Sequence, residues 1–248
     1  MKGAKGIAVF GATSTIATEI LKLYASHKYD MFLVGRDESK LEASGKLMSD
    51  LGAPSVQTYS MDFSNFENAG GVVEGIFESL SRVDVILIAY GTLPDNRLAV
   101  DNAVESWHEI KVNVISTIAI LNEVANRIER KGEGTIAVIT SVAGDRLRVS
   151  NYFYGSMKKM ISVYLDSLRI RFRNSAINVV NLKLGPVDTP MTKRFEKGMF
   201  WSKPEDVAGA IFKSINYGSG EKYIPRYWKW IMILIKLIPN PIFKRLRI

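Results

Sequence analysis

A chain of 248 residues, 47% hydrophobic and 23% charged, is long enough for one large α/β domain and has the composition of a folded protein, which excludes disorder and two full-sized domains. It has no cysteine and only two histidines, His27 and His108, so disulfides and thiolate metal sites are excluded and no metal centre is expected. The formal net charge of +8 sits at one end: residues 222–248 hold seven cations (Lys222, Arg226, Lys229, Lys236, Lys244, Arg245, Arg247) and no acid, leaving 26 cations against 25 acids before them, which argues against a nucleic-acid-binding face.

The N-terminal "MKGAKGIAVFGA" places lysines before an apolar run, as a signal peptide does, but the run is short and leads into a glycine-containing turn, so a buried strand over 6–11 is expected. Gly11-Ala12-Thr13-Ser14-Thr15-Ile16-Ala17 then opens a helix over 16–27. A second strand (31–35), a helix (38–51), a third strand (56–61), a helix (65–80) and a fourth strand (83–91) follow. A long helix over 101–131, a strand "TIAVITS" (135–141), a helix (152–173), a strand (177–185), a helix (204–217) started by Pro204 and a weaker last strand (222–225) complete the series. Short apolar strands alternating with amphipathic helices predict a doubly wound parallel sheet, a single-domain Rossmann fold, over residues 1–225. No stretch reaches the roughly 18 uninterrupted apolar residues of a spanning helix.

In such a sheet, ligands bind at the carboxyl ends of the strands. After the first strand, Gly11 and the small residues behind it let backbone amides and a helix N-terminus approach a pyrophosphate, and Thr13, Ser14 and Thr15 add hydroxyls; an ordinary strand-to-helix turn has the same composition. The second strand ends "LVGRDESKL". Gly35 stands where an NAD site places an acid for the ribose 2′-hydroxyl, and Arg36 follows, which favours NADP(H) over NAD(H) unless Arg36 merely pairs with Asp37 or Glu38. Tyr154-Gly155-Ser156-Met157-Lys158 puts a tyrosine and a lysine on one helical face, thirteen positions after Ser141 at a strand end. A nearby ammonium favours the phenolate and is expected to lower the tyrosine pKa, while the serine can hold a substrate oxygen against it.

Gly11 with Ser14-Thr15-Ile16, Asp62 after the third strand, "AYG" at 89–91, Asn113 in "KVNVIST", Ser141, Tyr154 with Lys158, and Gly185-Pro186-Val187-Asp188-Thr189 together resemble the short-chain dehydrogenase/reductase family from residue 6 to about 217. The resemblance implies an NAD(P)H-dependent ketoreductase with Asn113, Ser141, Tyr154 and Lys158 as its catalytic set. It also implies that Asp62 meets the adenine, that Ala89, Tyr90 and Gly91 line the cofactor, that Val187 and Thr189 hold the nicotinamide carboxamide, and that Phe63 and Gly185 are among the cofactor-binding residues. Asn113 would hold a water linked to Lys158, and Lys158 would also bind the nicotinamide ribose. The chain departs from the family pattern at Tyr90, at Leu184 before Gly185, and in its degenerate glycine turn.

The remaining segment, 226–248, is basic and amphipathic. Residues 226–238 have helix length and set Trp228, Trp230, Ile231, Ile233, Leu234, Ile235 and Leu237 among Lys229 and Lys236, followed by a break at Pro239–Pro241. Such a segment suits a membrane interface with anionic headgroups, or else a homo-oligomer contact. With "SVAGDRLRVSNYFYGSMK", the ending is similar to the family branch that reduces decaprenylphosphoryl-2-keto-ribose. That resemblance implies a lipid-linked keto-sugar substrate of cell-envelope polysaccharide synthesis, a separate partner oxidase, and a cytoplasmic protein peripheral to the inner face of the membrane.

Overall fold

In the computed structural model, which describes residues 4–243 and Arg245, seven parallel strands form one sheet in the order β3-β2-β1-β4-β5-β6-β7. They are β1 (Gly6–Phe10), β2 (Asp30–Gly35), β3 (Val56–Ser60), β4 (Val85–Ile88), β5 (Glu133–Ser141), β6 (Ala176–Leu184) and β7 (Gly220–Ile224). Strands β1 and β4 are buried throughout, as their unbroken apolar sequences require in a sheet covered on both faces. One face packs on α1 (Thr15–Ser26), α2 (Glu38–Asp50) and α8 (Pro204–Tyr217), and the other on α3 (Ala69–Ser79), α6 (Ser116–Lys131) and α7 (Tyr152–Arg171). The strand order reverses between β1 and β4, so the switch point at which sheets of this kind bind their ligands lies at the carboxyl ends marked by Phe10 and Ile88.

All six expected helical regions and the weak last strand are present, with two differences. The helix expected over 65–80 starts at Ala69, and the loop before it is held by Asp62, whose two carboxylate oxygens accept from the Ser64 amide at 2.9 Å and its hydroxyl at 2.8 Å. The single helix expected over 101–131 is broken. A short α4 (Asn96–Asp101) precedes α5 (Ala103–Ile110), and a five-residue π turn, Lys111–Ile115, joins α5 to α6. The break at Asn102 follows from side-chain chemistry, since its Oδ1 accepts the amides of Val104 and Glu105 and starts a new helix there.

The C-terminal segment forms α9 (Trp228–Leu237) and a single turn, α10 (Asn240–Phe243). Trp228 and Met232 are buried against Val142, while Trp230, Leu234 and Leu237 stand about 70% exposed as a stripe at i, i+4 and i+7. No helix among the described residues is long and apolar enough to cross a membrane. Of the seven tail cations, Lys244 and Arg247 lie outside the described residues.

Candidate active site

The turn after β1 is built around Gly11. Its φ of +84° suits glycine, and a Cβ there would approach the Tyr90 backbone nitrogen to 2.7 Å, so the ends of β1 and β4 can lie this close only without a side chain. Ser14 caps α1 by accepting the Ala17 amide at 3.2 Å. Among the described residues the amides of Thr15 and Ile16 have no acceptor, leaving the helix start free for an anion. Thr13 Cγ2 lies over Gly35, 3.5 Å from where a Cβ would be.

At the end of β2, Asp37 caps α2 and pairs with Lys40 at 3.0 Å. No carboxylate among the described residues bridges the exposed Arg36, which leaves its guanidinium available beside the turn. Its charge adds to the bonds from Ser64 in holding the Asp62 carboxyl below its ordinary range. Phe63 and Tyr90 stack face to face, 3.8 Å between centroids and 1° apart. Both were expected at the cofactor. Phe63 is instead 4% exposed, and the Tyr90 hydroxyl turns toward α6, 2.7 Å from Ser116 Oγ and 3.2 Å from Thr117 Oγ1. Their side chains thus belong to the interior, which leaves only their backbones to meet a cofactor. Burial pushes the Tyr90 hydroxyl up to about 12 despite the bonds to Ser116 and Thr117.

The predicted catalytic residues converge. Ser141 ends β5, with its hydroxyl accepting the Ala143 amide at 3.1 Å and lying 3.4 Å from the Leu184 carbonyl. Tyr154 and Lys158 stand one turn apart on α7, the lysine Nζ 5.7 Å from the tyrosine ring centre. Gly91 faces them: a Cβ on it would come to 3.1 Å from Lys158 Nζ and 2.8 Å from Asn113 Oδ1, at a φ of +153°. Asn113 lies in the π turn, whose extra residue keeps Val112, Asn113 and Val114 all buried.

The electrostatics differ from the expectation in one respect. Burial pushes the Tyr154 hydroxyl up to about 12, partly offset by the nearby Ser141 hydroxyl, and desolvation brings Lys158 down to about 8. A lysine that itself resists charging is a weak stabiliser of a phenolate, so the expected lowering of the tyrosine does not occur in the protein alone.

Two residues that the sequence reading passed over complete this corner. Asn113 Nδ2 donates to Thr92 Oγ1 (2.6 Å) and Glu109 Oε2 (3.0 Å), its Oδ1 accepts the Thr92 amide (3.0 Å), and the Thr92 hydroxyl donates to Glu109. Both Asn113 Nδ2 hydrogens are therefore engaged by protein, while its Oδ1, which accepts one amide, keeps capacity for a second donor. Glu109, 6% exposed, sits one helical turn before Asn113, and that i, i+4 spacing was the available signal.

Beyond Gly185, Val187 pairs with Ser202, and Thr192 receives the Thr189 amide at 3.0 Å while donating to Val187 O at 2.7 Å. Arg194 reaches across to the carbonyls of Leu93 and Pro94. Open clefts of about 370 and 380 Å³ lie between this segment and the loops at 93–97 and 149–151, beside rather than over the catalytic residues. Met191 and Phe195 are exposed there, next to Lys193 and Arg194, and Met199 and Phe200 are exposed further along the segment, Phe200 near Tyr227 and Trp228.

The residues fit a nicotinamide dinucleotide: helix-start amides for its phosphates and Arg36 at one end, neither of them paired among the described residues, and Lys158 beside Gly91 at the other. Metal-binding clusters of three or more His, Cys, Asp or Glu are absent among the described residues.

Comparison with known proteins gives a consistent picture. The family model for short chain dehydrogenases matches residues 5–199. An uncharacterized oxidoreductase of Mycobacterium tuberculosis is 24% identical across 98% of both chains, and one of Streptomyces coelicolor is 24% identical over 98% of this chain and 96% of its own. Among solved structures, actinorhodin polyketide ketoreductase with NADPH superposes with a TM-score of 0.75 at 18% identity, covering 89% of this chain and 95% of that one. A short chain dehydrogenase of Mycobacterium paratuberculosis bound to NAD gives 0.77 at 18%, covering 91% and 98%.

Proposed function

The chain belongs to the short-chain dehydrogenase family and is an NAD(P)-dependent oxidoreductase; from that premise we propose that it reduces a keto-sugar carried on a polyprenyl phosphate, at a membrane surface, with NADPH as the favoured reductant. The observation that carries the reductase chemistry is the convergence of Ser141, Tyr154 and Lys158 opposite Gly91. When bound, the dihydronicotinamide supplies the hydride. Ser141 Oγ turns from the Leu184 carbonyl to the substrate oxygen and holds it. Tyr154, protonated at neutral pH, donates its hydroxyl proton to that oxygen as charge develops there. Lys158, charged below about pH 8, favours the phenolate left behind.

The substrate class rests on the resemblance of the catalytic segment and tail to the lipid-sugar reductase branch, supported by two surfaces. Exposed Met191 and Phe195 beside Lys193 and Arg194 suit a ligand with an apolar chain and a phosphate. The Trp230, Leu234 and Leu237 stripe, next to Lys229 and Lys236, suits the interface of an anionic bilayer. A substrate retained by its lipid in the membrane needs an enzyme that comes to it, and a separate oxidase would supply the ketone.

The test is NADPH or NADH oxidation with a polyprenyl-phosphoryl 2-keto-pentose in anionic vesicles. Wild type is compared with Tyr154→Phe and with a triple Trp230→Ser, Leu234→Ser, Leu237→Ser variant. Turnover that falls by about 10²–10⁴ in Tyr154→Phe, and that is lost together with vesicle binding in the triple variant, is the expected result. No turnover of the lipid-linked ketone, with a soluble ketone reduced equally by wild type and triple variant, would refute the membrane reading and assign the stripe to a second subunit.

A further inference from the structure

The stretch between Ser141 and the helix bearing Tyr154 and Lys158 is gripped from two sides. On one side it lies flush on α7: a Cβ on Gly144 would come to 2.8 Å from the Lys159 amide nitrogen, and one on Gly155 to 2.7 Å from the Ala143 carbonyl oxygen. On the other side it carries the tail. Val142 packs with Trp228 and Met232 of α9. The Asp145 carboxylate, 2% exposed, binds Lys183 Nζ at 2.6 Å and the Tyr223 hydroxyl, and faces Lys236 of α9 at 3.6 Å. Burial alone would raise the Asp145 pKa, but the bonds from Lys183 and Tyr223 outweigh it and hold the carboxyl below its ordinary range. Arg146 Nη2 donates to Ile238 O and Asn240 Oδ1, both at 2.9 Å, and its guanidinium stacks 4.3 Å from the Phe243 ring centre. Trp228 also lies against Gly185 at the end of β6, where any Cβ would run into the indole.

A helix that served only to touch lipid would need a tether, not a buried carboxylate and an arginine aimed at its last turn. Burying a charge is costly unless it is paired in a fixed geometry; Lys183 and Tyr223 fix Asp145 to the sheet, and the Arg146 bonds with the packing of Val142 on Trp228 and Met232 join α9 to the residues that follow Ser141. We propose that α9 is a strut for the catalytic turn, with Asp145 and Arg146 as positioning residues, so that turnover depends on this docking in free solution with no membrane present. The inference rests on the reductase reading above and is independent of the lipid-linked substrate.

The full chain and its Arg146→Ala, Arg146→Lys and Asn240→Ala variants are assayed without vesicles, for NADPH-dependent reduction of a water-soluble aromatic diketone and for amide hydrogen exchange over residues 142–148. Asn216→Ala, which removes the 3.0 Å bond to Tyr24 between α8 and α1, controls for general destabilisation. The expected result for Arg146→Ala is kcat lower by roughly tenfold or more with KM for NADPH nearly unchanged, and exchange over 142–148 faster by a similar factor. Arg146→Lys should recover part of both, and Asn240→Ala should show a smaller change in the same direction. Unchanged kcat and exchange in Arg146→Ala, or the same kcat loss in Asn216→Ala at equal loss of melting temperature, would overturn the strut. If Arg146→Ala does not fold, the surface change Asn240→Ala decides, and unchanged kcat and exchange there overturn it. Should wild type fail to reduce the diketone, it is the reductase reading that is put in question, and the exchange data alone decide the strut.

Discussion

Replacing Lys158 by methionine should abolish reduction and yet make the coenzyme-free protein more stable. The lysine is 6% exposed, and desolvation brings it from an ordinary 10.5 to about 8, so at neutral pH the fold carries a charge it would rather release. The gap between 10.5 and about 8, at about 1.4 kcal/mol per tenfold change in proton affinity, corresponds to about 3 kcal/mol of destabilisation. Methionine has nearly the same length and no charge to desolvate; allowing for imperfect packing, a gain of roughly 2 kcal/mol remains, or about 4–8 °C in melting temperature for a chain of this size. The sign with pH is fixed. Because the folded-state value is depressed, the penalty is present in full below about pH 8 and vanishes as pH rises through the unfolded value near 10.4. Urea titrations of both proteins at pH 7 and pH 10.5 measure this. A variant less stable than wild type at pH 7, or a difference that does not shrink by pH 10.5, would refute the account of Lys158 as a strained, desolvated charge.

Arg36→Ala should cost a charge-assisted phosphate contact of about 1.5–3 kcal/mol, lowering kcat/KM for NADPH by about 10- to 100-fold while that for NADH stays within a few-fold; steady-state kinetics with both nucleotides check it. Gly11→Ala should destabilise by roughly 2 kcal/mol or more, because the φ of +84° and the 2.7 Å approach to the Tyr90 nitrogen are both violated, and thermal unfolding measures it. The reductive kcat should be level near neutrality and decline as pH climbs past about 8, where Lys158 loses its charge, since Tyr154 keeps its proton to about 12. A kcat that instead rose through that range would mean that the tyrosine, not the lysine, sets the profile.

The parallel sheet was legible because buried β1 and β4 are apolar at every position, a pattern that needs no knowledge of neighbours. Ser141, Tyr154 and Lys158 were legible because strand ends and a four-residue helical spacing fix where side chains meet. The destination of the Tyr90 hydroxyl, at Ser116 and Thr117, was not legible because it depends on how α6 packs, and the same holds for its stacking on Phe63. Likewise, the tail read as wholly amphipathic, but which of its apolar residues are covered depends on Val142 and on the pairing of Asp145 with Lys183, contacts between segments far apart in the chain.

The π turn at Lys111–Ile115 is a phase shift in an otherwise continuous rod. Residues before it and after it obey two different angular registers, and Asn113 lies where they meet. Deleting one residue within the turn would restore ordinary winding and rotate what precedes it by about 100° relative to α6, carrying Glu109 away from Thr92 while leaving the sheet and the buried face of α6 intact. A lineage of this scaffold therefore has a one-residue route to a folded protein without its chemistry, and the reverse step, a single insertion, would let a silent copy regain the corner around Asn113.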